Sequence, residues 1–321
     1  MASIGKIARR SFLIGSVAIA GGVAFGVYKA RQTPPNPLSP DQGAALNPFV
    51  LINADGVTII TPRAEMGQGI HSTLAAMVAE ELDVAWEDIT TLHGPPAQAY
   101  YNGALMGAGM PFKDYALTDM QHSLKQALSV LPKMMSLQVT GGSTSTVDAF
   151  DRMRQAGATA RETLKEAAAQ RLGLARSALA TEAGHVIAPD GTRLSYVELA
   201  ADAAQIDPPQ NVILRPQAQW KYLGKSMPRL DIPAKVTGTA TFGIDVRVEG
   251  MKFAALRRNP AQGGGMRSFD PAPAMAMAGV ERVVDLGDGI AVVANNTWIA
   301  MQAAEAVVID WAPSSAPQTT E

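Results

Sequence analysis

The sequence predicts an α+β fold on three observations. A short hairpin signal near residue 55 runs into a helical stripe, a second hairpin signal follows a long helix, and apolar residues alternate at period two beyond residue 240. With 321 residues, 47% hydrophobic and 17% charged, the chain has the composition of a globular protein and room for about two domains. A net charge of −2 argues against nucleic acid as a partner. There is no cysteine, which excludes disulfides, thiolate zinc sites and cysteine-held iron–sulfur clusters from this sequence.

Charge is distributed unevenly. Residues 1–31 carry Lys6, Arg9, Arg10, Lys29 and Arg31 and no acid, a charge of +5 that leaves −7 for the rest. Arg9-Arg10 stands before Ser11-Phe12-Leu13-Ile14 and an uncharged, Gly- and Ala-rich run to Tyr28. That pattern predicts a twin-arginine export signal and a periplasmic protein. A membrane anchor is the competing reading, because residues 11–28 are barely long enough to span a bilayer and no small-x-small site marks a cleavage point. Residues 32–45 read as a linker, since Pro34, Pro35, Pro37 and Pro40 favour extended backbone.

The first folded region is expected over residues 46–217. Phe49–Ile52 and Val57–Ile60 flank Asn53-Ala54-Asp55-Gly56, a hairpin signal. The second strand delivers Gly67-Gln68-Gly69, where two glycines let the backbone approach a bulky ligand and the glutamine amide both donates and accepts. His71, Leu74, Ala75, Val78 and Leu82 then share one helix face whose N-terminal N–H groups suit an anion, while Glu80, Glu81 and Asp83 are expected to face solvent. After a strand at residues 89–92 and a long loop over 93–113, a helix is expected from Tyr115 to Met135, with Pro132 bending or ending it. Gly141-Gly142-Ser143-Thr144-Ser145 places two glycines and a run of hydroxyls before a helix, a pattern suited to holding phosphate; a simple helix cap is the alternative. The following helix, 147–172, sets Met153, Gly157, Ala160, Leu164 and Ala168 on one small-residue face, and its Arg152, Arg154 and Arg161 are candidates for neutralising phosphates. A second hairpin spans residues 184–195, and Ser195 with Glu198 forms a capping box.

Residues 218–312 read as a second, mixed α+β domain, followed by a tail at 313–321. Phe242, Ile244, Val246 and Val248 alternate as one strand and Met251, Phe253 and Ala255 as the next. Asp270-Pro271 opens a short helix, strands follow at 281–286 and 290–294, and a helix from Thr297 precedes a last strand at 307–311. The four histidines lack ligand spacing, so no metal site is expected.

Several motifs in order carry a family resemblance: the twin-arginine leader, Glu65-Met66-Gly67-Gln68-Gly69, Gly141-Gly142-Ser143-Thr144-Ser145, Asp231-Ile232-Pro233-Ala234-Lys235-Val236-Thr237-Gly238 and Val292-Val293-Ala294 before Thr297-Trp298. Together they resemble the large molybdopterin-binding subunit of the xanthine dehydrogenase/aldehyde oxidase family, in the branch that contains the isoquinoline 1-oxidoreductase beta-subunit. The resemblance implies the first part of a molybdopterin-binding domain followed by an α/β hammerhead domain. It implies that Gly67, Gln68 and Gly69 contact the pterin. Gly141, Gly142, Ser143, Thr144 and Ser145 would grip the dinucleotide end of molybdopterin cytosine dinucleotide. It further implies [2Fe–2S] clusters on a small partner subunit, a cytochrome c subunit as electron acceptor, and an aldehyde or N-heteroaromatic substrate.

Such subunits are more than twice as long, so the sequence is expected to be an N-terminal part whose remainder lies on a missing C-terminal half or a second chain. The family's catalytic glutamate belongs to that remainder. No catalytic residue is therefore assigned, and turnover by residues 46–321 alone is not expected. Two alternatives remain: a non-catalytic, cofactor-holding half of a split subunit, and an exported, cofactor-free binding or structural protein.

Overall fold

The computed structural model describes Tyr28 and residues 32–39, 41, 43–314 and 316; the paired arginines and the apolar run before Tyr28 lie outside them. Among the described residues no helix is long and apolar enough to cross a membrane. The chain forms two compact units that divide between Thr239 and Ala240.

The first unit begins with a sheet in the order β1 (Ala44–Asn47), β2 (Val50–Asn53), β3 (Gly56–Thr61) and β4 (Ile89–His93). β2 and β3 form the expected hairpin, with Asn53 opposite Gly56 and the Asn53 side chain accepting the Asp55 N–H at 2.9 Å. β4 pairs with β3 in parallel. A parallel pair needs a crossover, which α1 (Ile70–Leu82) supplies. Short turns and two helices, α2 (Asp119–Leu128) and α3 (Val130–Met134), precede the long α4 (Ser145–Leu172). A small antiparallel sheet of β5 (Ala180–Glu182), β6 (His185–Ile187) and β7 (Arg193–Ser195) leads into α5 (Tyr196–Ala203). Ser195 and Glu198 form the expected reciprocal cap of α5.

α1 and α4 pack against each other with little space between their backbones. A Cβ built on Gly157 would lie 2.5 Å from the Val78 carbonyl oxygen and 3.1 Å from the Glu81 Cβ, so only glycine permits this approach. Leu74, Val78 and Leu82 of α1 and Met153, Ala160 and Leu164 of α4 are buried in the core of the first unit. Each large apolar side chain removed from water there contributes about 1.5–3 kcal/mol.

The acidic end of α1 is the main departure from the sequence-based expectation. Glu80, Glu81 and Asp83 are buried, not solvated. The Glu80 carboxylate accepts the backbone N–H groups of Lys221, Tyr222 and Leu223 at 2.7–3.1 Å. Glu81 takes two bonds from Arg154, at 3.0 and 2.6 Å, and the Arg215 N–H. Asp83 binds Lys221 and Arg215, each at 2.6 Å, and Thr181 at 2.8 Å. Burial pushes the Asp83 pKa up, but the bonds from Lys221, Arg215 and Thr181 outweigh it and hold the carboxyl below its usual range. These carboxylates bind residues 215–223 to the first unit, which runs to Thr239. The same contacts remove Arg154 and Arg161 as phosphate ligands, because both are buried against Glu81. Arg152 is likewise held by Asp148 and the carbonyls of Tyr101 and Ala99.

The first unit ends with α6 (Ile232–Val236). In the second unit, β8 (Phe253–Arg258), β11 (Gly289–Ala294) and β10 (Val280–Asp285) form one antiparallel sheet, and β9 (Met266–Asp270) pairs with β12 (Val308–Trp311). α7 (Ala272–Met275) and α8 (Thr297–Ala306) close a small core of Ala274, Ile290, Val292, Ala303, Ala304 and Val307. The strand expected at 242–248 does not form. The Asp245 carboxylate accepts the Phe242 N–H at 3.0 Å and turns the chain at Gly243–Asp245, leaving Phe242, Ile244, Val246 and Val248 exposed.

Candidate functional site

The two motifs singled out in the sequence meet at one cleft. β3 ends at Thr61, and Arg63, 1% exposed, anchors the segment that leaves it. Its guanidinium donates to the Pro62 and Tyr100 carbonyls at 2.8 Å, to Tyr101 at 3.2 Å, and to the Asp148 carboxylate at 2.6 Å. Asp148 lies in the first turn of α4, so this buried pair fixes the start of α4 beside the exit from β3. The Ala64 N–H donates to the Thr140 hydroxyl at 2.8 Å. The result is a cleft of about 340 Å³ lined by Met66, Gln68, Ile70, Thr73, Thr140, Gly141, Ser143, Ser145 and Thr146. A shallower groove of about 510 Å³ shares Met66 and Thr140 and extends past Pro62, His93, Gly94 and Gln138.

The two turns bordering the cleft are built differently. In the first, Gln68 closes the loop on itself: its Oε1 accepts the Met66 N–H at 2.6 Å and its Nε2 donates to the Ala64 carbonyl at 2.9 Å. One amide N–H of Gln68 remains for the cleft. Gly69 is the N-cap of α1 at φ 81°, a left-handed conformation that glycine adopts without strain. The Glu65 carboxylate accepts the N–H groups of Gly67 at 2.8 Å, Gly69 at 3.0 Å and His71 at 3.1 Å. Burial pushes the Glu65 pKa up, but these three bonds outweigh it and keep the carboxyl below its usual range. The N-terminus of α1 therefore already holds an anion, its own glutamate, contrary to the open N-terminus expected there. Arg229 binds the outer side of this turn, donating to the Gly67 carbonyl at 2.8 Å and to Glu65 at 3.1 Å.

In the second turn, Gly142 and Ser143 both take positive φ, 60° and 55°. No side chain caps α4. Ser143, Ser145 and Thr146 face the cleft, and a Cβ on Gly141 would meet nothing within 4 Å. Thr144 sits beneath the cleft: its hydroxyl donates to the Gly141 carbonyl at 2.8 Å and accepts from Asn102 at 2.7 Å. Hydroxyls above an uncapped helix start, with an open glycine beside them, suit a phosphate.

Of the eight residues named from sequence, Gln68, Gly141, Ser143 and Ser145 line this cleft. Gly67 and Gly142 shape the two turns, Gly69 starts α1, and Thr144 braces the second turn from below. Met66, Thr73 and Thr140 also line it, and Arg63, Asp148 and Arg229 hold its frame. Sequence offered no sign of the last three, because each works through a partner at least 85 residues away or through a backbone carbonyl. Among the described residues no cluster of histidine and acidic side chains could hold a metal directly.

A sequence profile described as "Molybdopterin cofactor-binding domain" matches residues 8–130, which include the Gly67–Gly69 turn. The isoquinoline 1-oxidoreductase beta-subunit of Brevundimonas diminuta is 28% identical over 95% of this chain, and a nicotinate dehydrogenase subunit of Pseudomonas putida is 29% identical over 83%. The chain is homologous to molybdopterin-binding oxidoreductase subunits. A membrane-bound aldehyde dehydrogenase of Gluconacetobacter polyoxogenes, named for pyrroloquinoline quinone, is 29% identical over 98% of the chain. The homologous region is partial: this chain spans 40% of the isoquinoline subunit, 39% of the aldehyde dehydrogenase and 20% of the nicotinate subunit.

The cleft fits part of such a cofactor. A molybdopterin phosphate would need an anion-binding end without a competing carboxylate, and the Ser143–Thr146 end has that form, since Asp148 is paired with Arg63 and Arg152. Gln68 offers an amide N–H at the other side.

Proposed function

We propose that this chain holds the molybdenum–pterin cofactor of an oxidoreductase complex acting on aldehydes or N-heteroaromatics. The observation that carries this reading is the convergence of Gln68 with Ser143 and Ser145, more than 70 residues apart in sequence, on one cleft. When bound, the cofactor supplies two-electron redox chemistry. The chain's own part is positional. Ser143, Ser145 and Thr146 receive the phosphate end, the free Gln68 amide N–H orients the pterin, and Glu65 with Arg229 keeps the Gly67–Gly69 backbone in register. The cytosine dinucleotide form, [2Fe–2S] clusters and a cytochrome c on partner subunits, a hammerhead fold for the second unit, and twin-arginine export to the periplasm with an N-terminal tether belong to the same proposal. They rest on the family resemblance of the motifs.

The test is cofactor content. Full-length chain expressed with molybdenum-cofactor biosynthesis is expected to carry molybdenum and to release a cytosine nucleotide on acid hydrolysis. Gln68→Ala and the double variant Ser143→Ala/Ser145→Ala are expected to lower both, the serine pair at unchanged thermal stability and Gln68→Ala with the small loss that its two exposed loop hydrogen bonds carry. Folded wild-type chain without pterin, or variants that retain it fully, would overturn the reading. Because one relative is named for pyrroloquinoline quinone, the same extract distinguishes that cofactor by its absorption.

A further inference from the structure

α2 and α3 carry an apolar face that the first unit does not use. α2 buries none of its residues. Ser129 joins the two helices, with φ −67° and ψ −16°, and its N–H closes the last turn of α2 on the Lys125 carbonyl. Met120 and Leu124 share one side of α2 at i and i+4, and Leu131, Met134 and Met135 share one side of α3 at i, i+3 and i+4. All five are exposed, Met120 to 79%, and Tyr115, just before α2, is 85% exposed. Polar residues close α2 by a Thr118–Gln121 capping box, so the helix needs no core to be defined. Exposed apolar side chains gathered on two successive helices mark an interaction surface.

The chain's N-terminal segment arrives at the edge of this face. Gln32, Thr33 and Pro35 line a hollow with Gln98, Lys133 and Met134 at the α3 end. The sequence before Gln32 contains the uncharged run of residues 11–28, flanked by five basic residues and no acid. A basic, apolar segment is attracted to an anionic bilayer, and exposed Met, Leu and Tyr side chains suit the zone between headgroups and acyl chains. We propose that the Met120–Met135 face of α2 and α3 rests on an anionic lipid surface, beside the point where the N-terminal segment enters it. This goes beyond cofactor binding and shares with the proposed function only the N-terminal tether.

Because the chain has no cysteine, a single Met120→Cys or Leu124→Cys substitution accepts a unique environment-sensitive fluorophore. Full-length labelled chain would be floated with vesicles of phosphatidylethanolamine and phosphatidylglycerol, with Ala180→Cys as an exposed control position. The expected result is co-flotation, with a blue shift and loss of iodide quenching at positions 120 and 124 but not at 180. Leu124→Glu with Met135→Glu is expected to weaken vesicle binding without lowering the melting temperature. Co-flotation with labels still open to iodide would overturn the proposal and leave the tether intact; failure to float would overturn both. Labels shielded before vesicles are added would assign the face to self-association. Labels shielded only by an added subunit would assign it to a protein partner. Either result would also overturn the proposal.

Discussion

Replacing Asp148 by alanine is expected to cost far more than replacing Arg63 by methionine, although the two residues form one 2.6 Å ion pair. The asymmetry comes from the group each substitution leaves behind. Without Asp148, the Arg63 guanidinium stays in the interior, 1% exposed, with the neutral carbonyls of Pro62, Tyr100 and Tyr101 and the like charge of Arg152 beside it. An uncompensated buried charge costs about 3–5 kcal/mol. Without Arg63, the Asp148 carboxylate keeps Arg152 at 2.9 Å and the Gly103 N–H at 2.6 Å, so it remains paired. The loss is then that of charge-assisted hydrogen bonds, about 1.5–3 kcal/mol, offset in part by an apolar side chain in a buried site. Equilibrium urea unfolding of the full-length chain, followed by circular dichroism and tryptophan fluorescence, measures both. Arg63→Met as damaging as Asp148→Ala would refute the compensation assigned to Arg152. Both variants should also lower cofactor content, since this pair sets the second turn beside the first.

Three further outcomes are expected. Gly157→Ala should destabilise the chain by about 1–2 kcal/mol in the same assay despite alanine's better helix propensity, because its Cβ would lie 2.5 Å from the Val78 carbonyl oxygen. Thr144→Val should lose about 1–2 kcal/mol of stability through its two internal hydrogen bonds, whereas Ser143→Ala should stay within about 0.5 kcal/mol and lower cofactor content instead. Paired melting-temperature and molybdenum measurements separate them. Glu65 has a folded pKa below its unfolded one, so its contribution is present above the ordinary carboxylate range and is lost as pH falls through the folded value. Glu65→Gln should therefore flatten the acid limb of the stability–pH curve, and an unchanged limb would count against the three backbone bonds.

The hairpins, α1, the long α4, the capping box of α5 and most of the second unit's strands were legible because local signals decide them. Period, turn residues and caps are read from neighbours in sequence. Glu80, Glu81 and Asp83 were misread for the complementary reason. A carboxylate off the apolar stripe looks solvated unless one knows that the segment 215–223 lies across it, and that contact is more than 130 residues away. The alternating run from Phe242 to Val248 shows the reverse failure. Period two specifies a strand only where a neighbouring strand pairs with it, and here Asp245 turns the chain first. For the site, the motifs marked the correct backbone but not which side chains face the cleft. Thr144 and Ser143 are adjacent hydroxyls, yet the positive φ at Gly142 and Ser143 turns Thr144 down onto Asn102.

That difference between the two turns carries the electrostatic argument for where an anion binds. Each helix start presents about half a positive charge in its unpaired N–H groups. At α1 that charge is met by Glu65, held by three N–H bonds and by Arg229, which is itself shared with Asp231. A phosphate brought to the same N–H groups would have to displace a carboxylate or stand beside it, and like charges a few ångströms apart cost several kcal/mol in a partly buried site, by about 332/(ε·r) at an effective ε near 20. At α4 the first-turn acid, Asp148, is instead turned inward to Arg63 and Arg152 and is already neutralised. Its helix start faces the cleft with Ser143, Ser145 and Thr146 above it and no capping side chain in the way. The same carboxylate that fixes the frame thus leaves this end open. The proposed phosphate contact therefore belongs at residues 141–146, and the Gly67–Gly69 turn contributes shape and the Gln68 amide rather than a second anion hole.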